Sequence, residues 1–341
     1  MLYIRADMNE QIATGHIMRC ISIADALTVA GEAVTFLLAD EQAVDLLKQR
    51  GYDAIVLHTD WNHMEEELPA LSRIIEKNKI KKILIDSYQV TPTYLSEVSR
   101  MVTTFYIDDL NKFDYPVNAV ICYANYYKKF HYKTNNRKTE YLLGTKYVPL
   151  KKSFWNCKPK NISPKAKNIL ILTGGSDPYN VSGRLLNAMN KDEFKDIDVI
   201  CGRYNTNYSA LTEMYRQYKN VKFHRAINNI EEYMQKADIA ISAGGTTLYE
   251  LCACGTPTIS YAFVNNQLDN VRQFEEDGPI DYAGDARIDD IAENVNQYLK
   301  KYQDDWQLRE KKSEKMQEMV DGKGAMRLAE ALMKFQKVEA D

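Results

Sequence analysis

The chain lacks most of the features that would reveal a simple function. No apolar run approaches the ~20 residues that a membrane span needs. No strong excess of charge exists either: the net charge is −3 and the pI is near 6.1. Neither a nucleic acid nor an anionic membrane is therefore indicated as the main partner. Arg5 and Asp7 come too early for a signal-peptide core, so a cytoplasmic protein is expected. Cys20, Cys122, Cys157, Cys201, Cys252 and Cys254 form no CxxC pair, and "CAC" at 252–254 is too tight for a usual zinc knuckle. Reduced, mostly buried thiols are expected. The sequence also has no GK[ST] of a Walker motif, no GxGxxG in its first half and no GxSxG elbow. Asp108-Asp109 is a bare pair without the spaced acidic partners that magnesium usually needs. No short tandem repeat is present.

What the chain does have is alternation. At 341 residues it is long enough for two domains. Apolar strand-like runs such as "EAVTFLLAD", "KKILIDSY", "TTFYIDD" and "NAVICYAN" are separated by helical patterns. This is the pattern of a parallel sheet with helices on both faces. From Tyr126 to Glu140 the alternation stops in a basic, aromatic run, for which the charge balance favours a solvated loop over a nucleic-acid patch. The proline- and lysine-rich stretch after it reads as a linker over 151–165. A second alternating unit follows, with "NILILTGGSDPYN" and "DIAISAGGTTLYELCACG" as its clearest segments. The expectation is two Rossmann-like, doubly wound α/β domains facing across a cleft, 1–150 and 166–341. The helix from Ala325 is a candidate to cross back to the first domain.

Candidate chemistry lies at the strand ends. "ATGHIMR" sits where the first strand turns into the first helix, the carboxyl edge of the sheet where ligands bind. An imidazole titrates near neutrality and can take a proton from water, which makes His16 a candidate base. Gly15 clears space beside it, and Arg19 lies one helical turn on. Asp86, Ser87 and Tyr88 end another strand of the same sheet, and Asp108 and Asp109 a third, so these clusters should meet. For Asp108 and Asp109 a capping or ion-pair role weighs as much as catalysis.

In the second half, "LTGGSDPYN" and "SAGGTTLYE" each follow a strand and open a helix. Tight packing alone can demand such glycines. Two such turns in one sheet also suit a diphosphate, because free N–H groups and helix dipoles favour an anion. The candidates are Gly174, Gly175, Ser176 and Asp177, then Gly244, Gly245, Thr246 and Thr247. Glu250, in the first turn of the second helix, could accept hydrogen bonds from vicinal ribose hydroxyls or simply complement the dipole.

These segments, together with "NNQ" and "DGKGAMRLAEAL", resemble one family over nearly the whole chain. It is the UDP-2,4-diacetamido-2,4,6-trideoxy-β-L-altropyranose hydrolase family of the pseudaminic acid pathway, also labelled spore-coat polysaccharide glycosyltransferase-like. The pairing of GHxxR with GGTTxxE carries the resemblance; the separate glycine turns are shared with GT-B glycosyltransferases. The resemblance implies a GT-B fold and hydrolysis of the UDP-sugar to free sugar and UDP, without metal or cofactor. It implies that His16 activates the attacking water and that Tyr88 helps place it. It implies that Gly175, Ser176, Gly245 and Thr246 approach the diphosphate and that Glu250 binds the ribose. Asn266 and Gln267 would reach the sugar or phosphate. Association with neighbouring pathway enzymes is left open. Two departures are visible: Ala13 stands where the family commonly has glycine, and Ser87 where it commonly has Asn or His. The competing readings are a GT-B transferase with a UDP-sugar donor and a non-catalytic UDP-sugar-binding partner.

Overall fold

The computed structural model describes residues 1–132 and 139–335. The chain divides into two compact units: residues 1–152 with 323–341, and residues 153–322.

Unit 1 is built on seven parallel strands: β1 (Leu2–Ala6), β2 (Val34–Leu38), β3 (Asp53–Val56), β4 (Lys82–Asp86), β5 (Thr103–Ile107), β6 (Ala119–Cys122) and β7 (Glu140–Leu143). Their order is β3-β2-β1-β4-β5-β6-β7. The order reverses between β1 and β4, where Ala6 lies in register with Asp86. In open parallel sheets, ligands bind outside the carboxyl ends at such a reversal. Every residue of β1 is buried, because helices cover both faces. Arg5 is therefore enclosed and is held by charge: its guanidinium donates to Glu67 at 2.9 and 2.7 Å and to Asp7 at 2.5 Å. Tyr3, Leu37, Leu71, Ile83 and Leu95 belong to the core on one side of this sheet.

Unit 2 has six parallel strands: β8 (Asn168–Leu172), β9 (Asp196–Cys201), β10 (Val221–Arg225), β11 (Ile239–Ala243), β12 (Thr258–Ala262) and β13 (Asp281–Asp285). Their order is β10-β9-β8-β11-β12-β13, reversing between β8 and β11. The two glycine turns leave these two strands. Ile169, Leu186, Val199, Ile241 and Ile259 lie in its core.

Strands β7 and β13 and the helices Tyr208–Met214 and Asn265–Asp277 have no counterpart in the sequence reading. The segment 151–165 is not a solvated linker throughout. Phe154 and Trp155 are fully enclosed, and the chain from Ser153 on belongs to unit 2. Residues from Lys323 on belong to unit 1, where the helix Gly324–Lys334 packs on the helix Gly15–Val29. Gly324 lets the start of this helix lie against the chain at Tyr147 and Val148, since a Cβ there would fall 2.2 Å from the Val148 carbonyl oxygen. Lys82 closes the far end of the helix, donating to the Leu332 and Met333 carbonyls at 2.8 Å each. Of the basic run 126–140, residues 133–138 lie outside the described residues. Just before them Tyr132 donates to Asp108 at 2.6 Å.

Candidate functional site

The carboxyl edge of unit 1 gathers side chains from four segments. His16 is buried in the first turn of the helix Gly15–Val29, and its Nδ1 lies 2.7 Å from Asp86 Oδ1 at the end of β4. Arg19, one turn on, grips the same carboxylate through Nε at 2.6 Å and Nη2 at 2.5 Å. Its other terminal nitrogen donates to Asp109 at 3.1 Å and to the Tyr123 hydroxyl at 2.9 Å. Tyr88 donates to the same Asp109 oxygen at 2.8 Å. Its ring stands edge-on to the His16 ring, with centroids 4.5 Å apart and planes at 80°.

Charge fixes the protonation states here. Burial alone would push the Asp86 carboxyl up, but the Arg19 guanidinium, and then His16, hold it well below the usual carboxylate range. Asp86 is therefore an anion. Nδ1 lies 2.7 Å from the Asp86 anion and 3.1 Å from Arg19 Nη2; the nearer anion favours the tautomer with Nδ1–H donated to it, which leaves Nε2 as the acceptor. Burial, then Asp109, pushes the Tyr88 phenol far up. Burial against the opposing pull of Arg19 puts the Tyr123 phenol at about 12. Both phenols are protonated donors. Burial beside Asp86 likewise keeps Cys20 a thiol.

The N–H groups of Gly15, His16 and Ile17 make no bond to the described residues, and Thr14 offers no side-chain cap. This helix start faces outward uncapped, and a Cβ on Gly15 would meet nothing. Ala13 adopts φ +55°, so the loop keeps the left-handed conformation although the residue is not glycine.

Asp108 and Asp109 separate. Asp108 is buried and accepts from the N–H groups of Leu110 and Asn111 and from the Tyr115 and Tyr132 hydroxyls. It holds the loop after β5. Asp109 faces Arg19 and Tyr88, and its Oδ1 is buried with no hydrogen-bond partner.

In unit 2 the first glycine turn differs from the sequence expectation. Asp177 is buried and accepts from Val181 N at 2.7 Å, from Ser182 N at 3.0 Å and from the Ser182 hydroxyl. The carboxylate itself occupies the start of the helix Val181–Ala188, so Asp177 is a cap there and that helix start is not open to an anion. The turn ahead of it is open: Gly174 has φ +74°, and a Cβ on Gly174 or Gly175 would meet nothing. Ser176 is half-buried beside them.

The second turn keeps an open helix start. The N–H groups and hydroxyls of Thr246 and Thr247 bond to none of the described residues. Gly245 faces open space. Gly244 is a packing position, because its Cβ would fall 2.3 Å from Val271. Glu250 is half-buried in the first turn of the helix Thr247–Cys254. Asn266 is exposed at the start of the helix Asn265–Asp277, while Gln267 turns back to accept from Phe263 N at 3.0 Å.

Two residues that shape these turns escape the sequence reading. Asn270 donates to the carbonyls of Gly244 and Gly245 at 3.0 and 3.3 Å and accepts from Tyr249 at 2.9 Å. Gly202 lets the β9 loop lie against the first turn, since its Cβ would fall 2.3 Å from the Gly174 oxygen. A cavity of about 260 Å³ opens at the other end of unit 1, against Met1, Tyr3, Leu27, Lys82 and Leu332; it includes none of the candidate residues. No described helix is long and apolar enough to cross a membrane.

Comparison with known proteins agrees with this architecture. Residues 153–319 match the family model for glycosyl transferases group 1. The chain is 26% identical to the uncharacterized protein MJ1062 of Methanocaldococcus jannaschii over 75% of its own length, and spans about half (54%) of that relative. It is 23% identical to the spore coat polysaccharide biosynthesis protein SpsG of Bacillus subtilis, over 96% of both chains. A third relative is the pseudaminic acid cytidylyltransferase and UDP-2,4-diacetamido-2,4,6-trideoxy-beta-L-altropyranose hydrolase of Helicobacter pylori. Identity to it is 27% over 48% of this chain and 30% of that one. Among solved structures, MurG of Acinetobacter baumannii superposes with a TM-score of 0.71 at 12% identity, covering 98% of this chain and 99% of that one. The chain thus has the GT-B fold of two Rossmann-like units, and its second unit carries the match to glycosyl transferases group 1.

Proposed function

We propose that the protein takes a UDP-linked sugar and breaks its anomeric C–O bond, the sugar passing to an O–H nucleophile that His16 deprotonates. The observation that carries this reading is the 2.7 Å pairing of His16 Nδ1 with the buried Asp86 anion. It makes Nε2 the base and steadies the imidazolium that forms. The nucleophile's oxygen attacks the anomeric carbon from the face opposite UDP. The C–O electron pair leaves on the diphosphate, the proton passes to Nε2 and then to solvent, and the anomeric centre inverts. Unit 2 would hold the nucleotide. Backbone N–H groups of Gly175, Ser176, Thr246 and Thr247, with Gly245 leaving room for a close approach, would take the charge that develops on UDP, as in an oxyanion hole. Glu250 would accept from the ribose hydroxyls, with Asn266 and Gln267 toward the sugar or phosphate. No step of this chemistry calls for a metal or a cofactor.

Our reading of the nucleophile is water, with UDP-2,4-diacetamido-2,4,6-trideoxy-β-L-altropyranose as substrate. The GHxxR and GGTTxxE motifs support it, as does the partial likeness to the Helicobacter pylori protein. A second reading is transfer of the sugar to an acceptor. The match to glycosyl transferases group 1 over 153–319 favours it, and the comparisons as a whole lean this way. Incubation with that UDP-sugar and EDTA, without acceptor, separates the two by NMR. Free sugar of inverted configuration supports hydrolysis. An intact UDP-sugar that is consumed only when a saccharide acceptor is added supports transfer.

A further inference from the structure

We propose that Asp109 is a positioning residue that fixes the polarity of Tyr88 and thereby selects water over alcohols as the nucleophile. The inference rests on the reading of His16 as base and deepens it.

A phenol has one proton to donate. In Tyr88 that proton is committed to Asp109, at 2.8 Å. Asp109 is a dependable acceptor because Arg19 donates to the same oxygen at 3.1 Å, and Arg19 is itself anchored by its fork on Asp86. Tyr88 can then offer the space beside His16 only oxygen lone pairs. Its ring is 4.5 Å from the His16 ring, so both groups border one space. His16 Nε2 is an acceptor there as well.

Two acceptors suit a nucleophile with two protons. Water donates one proton to Nε2 and the other to Tyr88 Oη, and its lone pairs are left for the anomeric carbon. An alcohol has one O–H. Once that is given to Nε2, the alcohol presents a lone pair or carbon to the Tyr88 oxygen, which goes unpaired. A site that demands a hydrogen bond discriminates strongly against a partner lacking it. In Asp109→Leu a side chain of the same shape carries no acceptor, so the phenol is free to turn its proton toward the space beside His16.

The groups facing the Tyr88 phenol are Asp109, Arg19, Asp86 and His16, with Lys112 on the Tyr88 carbonyl. The test compares the wild type, Asp109→Leu, Tyr88→Phe and the double variant in water containing methanol. Free sugar and methyl glycoside are counted by NMR. The wild type should give almost only free sugar. Each single variant should turn over about tenfold more slowly, with UDP affinity unchanged and a methyl glycoside share raised about threefold or more. The double variant should match Tyr88→Phe. An unchanged product ratio, or additive losses in the double variant, would overturn the proposal.

A second readout needs no turnover. With ring-labelled tyrosine, the Tyr88 Cζ signal, assigned by its loss in Tyr88→Phe, should shift in Asp109→Leu and titrate at lower pH. A Cζ signal that ignores Asp109 sinks the proposal whatever the enzyme does. If the wild type cleaves no UDP-sugar while the Cζ signal responds, the hold of Asp109 on Tyr88 stands and the reading of the reaction fails.

Discussion

His16 and Asp86 lie 70 residues apart in the chain and 2.7 Å apart in space. The sheet order causes the meeting. β1 and β4 are neighbours at the point of reversal, and each side chain sits at the carboxyl end of its strand or just beyond it. Arg19 adds a forked grip on the same carboxylate.

Asp86→Asn removes the anion that orients His16 and leaves a buried guanidinium short of its partner. Turnover should fall by about two orders of magnitude or more. Stability should fall by about 3 kcal/mol. Steady-state rates and urea unfolding check the two effects separately.

The same carboxylate sets an acid limit. Its folded value is depressed by Arg19 and His16 against the opposing pull of burial. Its contribution is therefore complete above the unfolded value of ~3.9 and is lost as the pH falls below it. The urea midpoint of the wild type should hold between pH 7 and about pH 5 and drop steeply below pH 4, and Asp86→Asn should flatten that drop.

Ala13 holds φ +55° without the freedom of glycine. Ala13→Gly removes a strain of about 1–2 kcal/mol and adds chain entropy worth somewhat less. The melting temperature should rise by about 1 °C, with the loop before His16 unmoved. A fall would mean that the methyl group packs favourably.

The glycines of unit 2 should divide into two classes. Gly175→Ala and Gly245→Ala add a methyl group to open space, so both should fold normally and weaken UDP binding. Gly202→Ala and Gly244→Ala force a Cβ to 2.3 Å from backbone or from Val271, and both should lose stability as well as binding. Asn270→Ala belongs with the second class. It removes the hydrogen bonds of Asn270 to the Gly244 and Gly245 carbonyls and to the Tyr249 hydroxyl, at a cost of about 2 kcal/mol. Calorimetric UDP titration beside thermal melts sorts them.

The residues legible in the sequence are those whose position follows from strand ends alone. His16, Asp86 and Tyr88 could be placed together because a parallel sheet puts all its carboxyl ends on one edge. The glycine turns could be placed for the same reason. What could not be read depends on partners fixed only by packing. Asp177 looks like a ligand contact in "GGSDP", yet it accepts from the N–H groups four and five residues on. Asn270 reaches a turn 26 residues back, and nothing in its neighbourhood of the sequence signals that reach. β7 is four residues long and follows a polar run, so its apolar signal was too short to stand out.

The central claim is that His16 is the base in a UDP-sugar reaction. The most direct measurement pairs UDP release with UDP affinity in His16→Asn. The account predicts that release falls by about a hundredfold or more while UDP binds as in the wild type and the melting temperature holds. Full turnover in a folded His16→Asn would contradict it.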